Sequence, residues 1–148
     1  MISPERLRRF SHCAGCPDDV LRAMAIIAAN HSFKAGERIF SEGGNSTHLM
    51  FLEDGEVDVV YRLGDDREVV VDTLVPGDTL SWSAVVEPHV LSATAIGKRA
   101  GRLIQVEAES LRRLCEANPA YGYRLMSEIA RVLRARLIAT RVQLAAMS

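Results

Sequence analysis

The chain has 148 residues, 48% of them hydrophobic and 25% charged, with a formal net charge of −1. That balance excludes a disordered tract and gives no whole-molecule attraction for nucleic acid or an anionic membrane. The length suits one domain burying about 68–70% of its unfolded surface, and no apolar run approaches the ~20 residues that span a bilayer.

The opening residues MISPERLRRF lack the apolar stretch of a secretory signal. Three cysteines do not make a disulfide framework. A cytoplasmic protein, with residues 1–148 as a single domain, is the expectation.

Taken in order, residues 3–10 predict a short helix with Ser3 as N-cap and Pro4 at its first position. Pro17-Asp18-Asp19 opens a second helix running to about residue 29, with Val20, Met24 and Ile27 on one face. From His31 the apolar period becomes two. Phe33 begins an extended run, Ala35-Gly36 turns it, and Arg38-Ile39-Phe40 continues it. Residues 42–45 form a turn and residues 48–52 a strand, and Asp54-Gly55 carries a hairpin signal. Val57, Val59 and Tyr61 alternate before a Gly64-Asp65-Asp66 turn, and residues 69–74 make another strand. Residues 92–96 and 102–106 read as two further strands around Gly97 and Gly101. About eight short strands predict a sandwich or a small jelly-roll-like β-roll over residues 31–107 or so.

Residues 107–116 predict a helix broken by Asn118-Pro119. In the final helix Tyr123, Met126, Ala130, Leu133, Leu137, Thr140, Leu144 and Met147 recur at a 3-4 spacing, an a/d seam of more than three heptads. Leu125, Ile129 and Val132 form a second apolar face. Two faces imply two partners, the roll and a second copy. A homodimer through Met126, Ala130, Leu133, Leu137, Thr140 and Leu144 is therefore expected.

One stretch, residues 77–95 (GDTLSWSAVVEPHVLSATA), breaks the strand alternation without simple turn chemistry, which suggests a pocket wall. FKAGERIFSEGGNSTHLMFLEDGEVDVVY, the glycines Gly36, Gly43, Gly55 and Gly77, and LVPGDTLSWSAVVEPHVLSATA together resemble the cyclic-nucleotide-binding domains of the catabolite activator protein and FNR-like family. The likeness extends over nearly the whole chain and implies a double-stranded β-helix between N-terminal helices and a long C-terminal dimerisation helix.

The resemblance places the family's phosphate-binding cassette at residues 74–95. There the family carries a Gly-Glu pair that recognises the ribose and an Arg that pairs with the cyclic phosphate. In this chain those positions hold Ser81-Trp82 and Leu91, so the charged determinants are missing. The cations that could replace the Arg are His89, Arg99 and Arg102, none at the family's position. A cyclic nucleotide is therefore disfavoured, and no cofactor is assigned. The implied pocket residues are Gly77, Ser81, Trp82, Ser83, His89, Leu91, Ser92 and Ala93. Thr140 resembles a helix threonine that touches the base in some members; a polar residue in the dimer seam explains it equally well.

The resemblance thus implies a stand-alone, small-effector regulatory domain, or else a roll that has lost its ligand, filled by Trp82, Val90 and Leu91, and serves as a dimerisation module. Relatives that bind DNA carry a helix-turn-helix after the dimer helix; with the chain ending at Ser148, direct nucleic-acid contact is not expected. Cys13-Ala14-Gly15-Cys16 offers two of the four thiolates an iron–sulfur cluster needs, with Cys115 and His12 as incomplete supplements, so no metal site is expected. No catalytic triad, Walker loop or HExxH appears, and an enzyme is not expected.

Overall fold

The computed structural model describes residues 1–147. Among these the order is α1 (Pro4–Leu7), α2 (Asp18–Ile27), β1 (Ala28–Phe33), β2 (Arg38–Phe40), β3 (His48–Arg62), β4 (Glu68–Leu74), β5 (Thr79–Leu80), β6 (Thr94–Glu107), α3 (Ala108–Ala117) and α4 (Pro119–Ala146). The sheet is antiparallel, ordered β1-β6-β3-β4, with β2 also on β6 and β5 on β3. This is the mainly β roll with flanking helices that the periodicity predicts.

The expected eight strands become six because two apparent turns are corners of long strands. Asp54-Gly55 is not a hairpin: β3 runs through it, with register shifts against β6 from Leu52 to Val57. The runs 92–96 and 102–106 likewise merge into β6, which bends at Gly97 and Gly101. The reason is steric. A Cβ on Gly101 would overlap the Asp54 carbonyl oxygen, and one on Gly97 the Lys34 carbonyl oxygen. Gly55, at φ +89°, would meet the Arg99 carbonyl oxygen at 2.6 Å. These glycines let backbones cross closely.

The helical boundaries also differ from expectation. The first helix covers only Pro4–Leu7, and Ser3 makes no side-chain cap. α2 ends at Ile27 because Ala28 is already extended and pairs with Val106, so the strand begins before His31, and Phe33 ends it.

Alternation along β3 and β6 feeds two cores. Leu49, Phe51, Ile104 and Val106 join α1, α2, α3 and α4 in one cluster, while Met50, Leu52, Val57 and Leu103 fill the inside of the roll. Burial on both faces explains why residues 49–52 are continuously apolar. Glu53, only 6% exposed at its side chain, ties the N-terminus to the roll: Arg6 donates to both of its oxygens at 2.8 and 2.6 Å, and Arg102 donates at 2.6 Å. Those guanidinium groups hold the Glu53 carboxyl down at about 2 against the opposing effect of burial.

The C-terminal helices meet at Asn118. Glu107 caps α3 by accepting from the Glu109 and Ser110 amides, and the Asn118 side chain donates to the Leu114 carbonyl at the far end. Pro119 then starts α4. Tyr121, Leu125 and Ile129 bury one face of α4, while every residue from 137 to 147 is exposed. At 1.5 Å per residue α4 is about 42 Å long, and its last third extends past the roll.

Candidate effector cleft

The segment after β5 is built from short polar residues that reverse the chain and fix it to its neighbours. Ser81 takes the left-handed conformation (φ 59°, ψ 37°), uncommon for a residue with a Cβ. Its hydroxyl lies 2.6 Å from the Ser46 hydroxyl, which is also 3.1 Å from the Ser81 carbonyl oxygen. A 3-10 turn, Trp82–Ala84, follows. Arg112 of α3 donates to the Ala84 carbonyl at 2.6 Å, and His89 Nδ1 donates to the Ser83 carbonyl at 2.8 Å.

The far side of the segment is laced to the loop before β3. The Gly43 amide donates to the Leu91 carbonyl, the Leu91 amide to the Gly44 carbonyl and the Ser46 amide to the His89 carbonyl, each at 2.8 Å. Small residues at 43–46 let that loop lie against 89–91. The segment is therefore a fixed wall rather than a free linker.

Between this wall, the inner face of the roll and α4 lies a cleft of about 30 Å3. Ser81, Trp82, Ser83, Leu91, Ser92 and Ala93 line it, together with Phe40, Val59, Tyr61, Leu74, Leu80, Thr94, Ala95 and Arg136. Six of the sequence-selected positions thus come together. Three do not. Gly77 lines an adjoining hollow of about 210 Å3 beside Asp72, Asp78 and Glu128, which shares only Leu74 and Arg136 with the cleft. His89 is spent on the Ser83 carbonyl and sits at φ 62° within the loop. Thr140 is exposed and donates to the Arg136 carbonyl one turn back.

The other cations also have different occupations. Arg102 is bonded to Glu53, and Arg99 lies 3.9 Å from Glu56. Val90, expected as filling, is 40% exposed, whereas Leu91 is buried at 7%. The cation that does enter the cleft is Arg136, which is not among the residues selected from the sequence. The signal was its spacing: it continues the roll-facing stripe Leu125, Ile129, Val132 by a further four residues.

The cysteine motif lies elsewhere, in the helical core. Cys13 and Cys16 are buried and unoxidised, and Cys115 is half-buried. Burial pushes the Cys13 thiol up to about 12 and the Cys115 thiol up to about 11, so neither carries thiolate near neutrality. Among the described residues no three His, Cys, Asp or Glu side chains are grouped to hold a metal ion, and no helix is long and apolar enough to cross a membrane.

The comparisons agree with this architecture. Residues 30–118, from β1 to the start of α4, match the family model described as the cyclic nucleotide-binding domain. The chain belongs to that family.

A crystal structure of a candidate cyclic nucleotide-binding protein from Geobacter metallireducens is 33% identical. That likeness covers 93% of this cyclic nucleotide-binding domain chain and 99% of the other, with a TM-score of 0.82. The catabolite activator protein of Thermus thermophilus shares the fold at 18% identity and a TM-score of 0.75, over 95% of this chain and 63% of that one. A curated protein of Bradyrhizobium diazoefficiens, Glutaminase 2, is 24% identical over 130 residues, 88% of this chain. The chain spans 20% of the length of that curated relative.

Proposed function

We propose that this domain is a small-effector sensor whose ligand enters the cleft walled by residues 81–93 and whose output is the C-terminal helix α4. The observation that carries the reading is that one cleft is bounded by both elements: Ser81, Trp82 and Leu91 on one side, Arg136 of α4 on another. A ligand there touches the wall and the helix together, so it can favour one helix position over another by differential contact. The match of the chain to a fifth of a protein named Glutaminase 2 is in keeping with a regulatory module that serves a separate catalytic unit. The enzyme-like activity of that relative is not part of the proposal for this chain.

The cyclic nucleotides are poor candidates for the effector. Trp82 and Leu91 stand where the family's ribose-binding Glu and phosphate-binding Arg would be, and an indole and an isobutyl group supply neither charge nor acceptor. Trp82 is the sole tryptophan, so its fluorescence reports the site directly. Titration with cAMP and cGMP, backed by calorimetry, is expected to show no saturable micromolar binding. Such binding would restore the usual ligand.

Dimerisation through α4 completes the reading. Met126, Leu137 and Leu144 are 42%, 51% and 66% exposed, and Ala130 and Thr140 are exposed beside them; Leu133 is half-buried against the helical core. A row of apolar side chains at coiled-coil spacing suits a second copy of the helix. Light scattering is expected to give a dimer, and Leu137→Glu with Leu144→Glu a monomer that keeps the native circular dichroism. A monomeric parent at tens of micromolar sinks this part.

A specific observation favours a second reading. The cleft holds about 30 Å3, against the several hundred of a drug-sized ligand site. In that reading the roll is ligand-free and α4 alone carries the function. A thermal-shift screen separates the two, because a ligand specific to the folded state raises the melting temperature.

A further inference from the structure

We infer that the cleft selects an anionic effector carried on a flat apolar body, and that Arg136 meets its charge in competition with Asp72. This deepens the effector reading above and rests on it.

No carboxylate lines the cleft, and Arg136 is its one charged side chain. The remaining polar lining includes the hydroxyls of Ser83, Ser92 and Thr94, and hydroxyls donate readily to an anion; the Ser81 hydroxyl is already engaged with Ser46. The apolar lining includes the rings of Tyr61 and Trp82. Tyr61 is 44% exposed, so this wall faces solvent and can yield to a ligand, whereas Leu74, Leu80 and Leu91 are packed.

The guanidinium group has donors to spare. It offers five N–H groups, yet among the described residues its side-chain polar partner is Asp72, with Nε 3.8 Å from Oδ2. That separation exceeds hydrogen-bond length. The Arg136 side chain is 28% exposed and that of Asp72 46%, so the pair is weak and open to solvent. A carboxylate or phosphate in the cleft could accept two parallel N–H bonds that Asp72 does not accept.

The position of Arg136 gives the exchange a consequence. It is the last half-buried residue of α4, and residues 137–147 are exposed. An effector held by Arg136 would therefore pull on the helix where it departs from the roll, while freeing Asp72 on β4. The charge-recognising group would belong to the output element itself, not to the wall.

The test uses the full chain and matched probes, benzoate against benzamide and phenyl phosphate against phenol, at constant ionic strength with Trp82 fluorescence and calorimetry as readouts. The anions are expected to bind saturably, about tenfold or more tighter than their neutral partners. Arg136→Gln should bring each anion down to its neutral partner's affinity and leave the neutral probes unchanged. Asp72→Asn keeps an acceptor for the Thr73 amide, which Asp72 Oδ1 now binds at 2.9 Å. Because it removes the competitor, it should tighten anion binding by about threefold. That gain does not depend on how well the arginine variant folds. Equal binding of charged and neutral probes, or Asp72→Asn binding anions no better than the parent, overturns anion selection and leaves the sensor reading standing. No binding of any of the four probes overturns both.

Discussion

The helical core holds a buried titratable group that can be put to a quantitative test. His12 is 3% exposed, its ring packed 4.8 Å from that of Phe51 and 6.3 Å from that of Tyr121, and its buried Nε2 has no hydrogen-bond partner among the described residues. Burial lowers its pKa from 6.5 to about 4; Glu128 opposes the shift, and Arg124 adds to it. The imidazole is thus neutral in both states above pH 6.5, and the fold has its full stability there. As pH falls from 6.5 towards 4, the unfolded chain takes up a proton that the folded chain refuses, and stability drops. The resulting loss is on the order of 2 to 3 kcal/mol once pH 4.5 is reached.

His12→Leu does not titrate and leaves an apolar side chain among apolar neighbours. Urea unfolding at pH 7.5 and 4.5, followed by circular dichroism, is expected to show the parent losing about 2 to 3 kcal/mol more than the variant between those pH values. Other groups titrate in both proteins and cancel in the difference. Parallel losses in the two proteins would refute the claim that His12 is held neutral by burial.

Four further outcomes test the scaffold. Glu53→Gln removes the acceptor charge shared by Arg6 and Arg102 and should destabilise by about 2 kcal/mol, with amide exchange in α1 rising more than in β3. Gly101→Ala places a Cβ on the Asp54 carbonyl oxygen, where backbone cannot yield, and should lower stability by at least about 3 kcal/mol. Gly64→Ala, with open space around it, should melt within a few degrees of the parent. Finally, Cys13 and Cys115, pushed up to about 12 and about 11, should react slowly with a disulfide reagent at pH 8 and fast once urea unfolds the chain. A native-state burst from Cys115 would contradict its burial.

Much of the fold was legible because it is written in local patterns. The switch from helical to alternating period and the Pro119 start depend on neighbours a few residues apart, and each reappears within about three residues. Misreadings arose where a local signal had a distant cause. Asp54-Gly55 and Gly97 carry turn-forming residues, but their glycines serve strand crossings with residues more than forty positions away, at Gly101 and Lys34 respectively. A turn signal and a close-approach signal are the same residue in sequence, and only the crossing strand tells them apart.

The candidate site divides in the same way. Residues 81–93 announced themselves by interrupting a regular pattern, and the missing Glu and Arg of the cassette could be read position by position. Which side chains share a cleft could not. Gly77, His89 and Thr140 sit beside the cleft in sequence or on the helix wheel, but hydrogen bonds and helix rotation turn them elsewhere. Arg136 lines the cleft because α4 packs into the helical core through Leu125 and Ile129, which fixes the rotation of the whole helix and brings Arg136 to the cleft's edge. The sequence by itself determined most of the elements and that Ser81, Trp82 and Leu91 stand in the segment that interrupts the strands, since those are properties of single positions and short spacings. Only the tertiary structure decided which cation lines the cleft, because that depends on how a helix lies against a sheet some forty residues away.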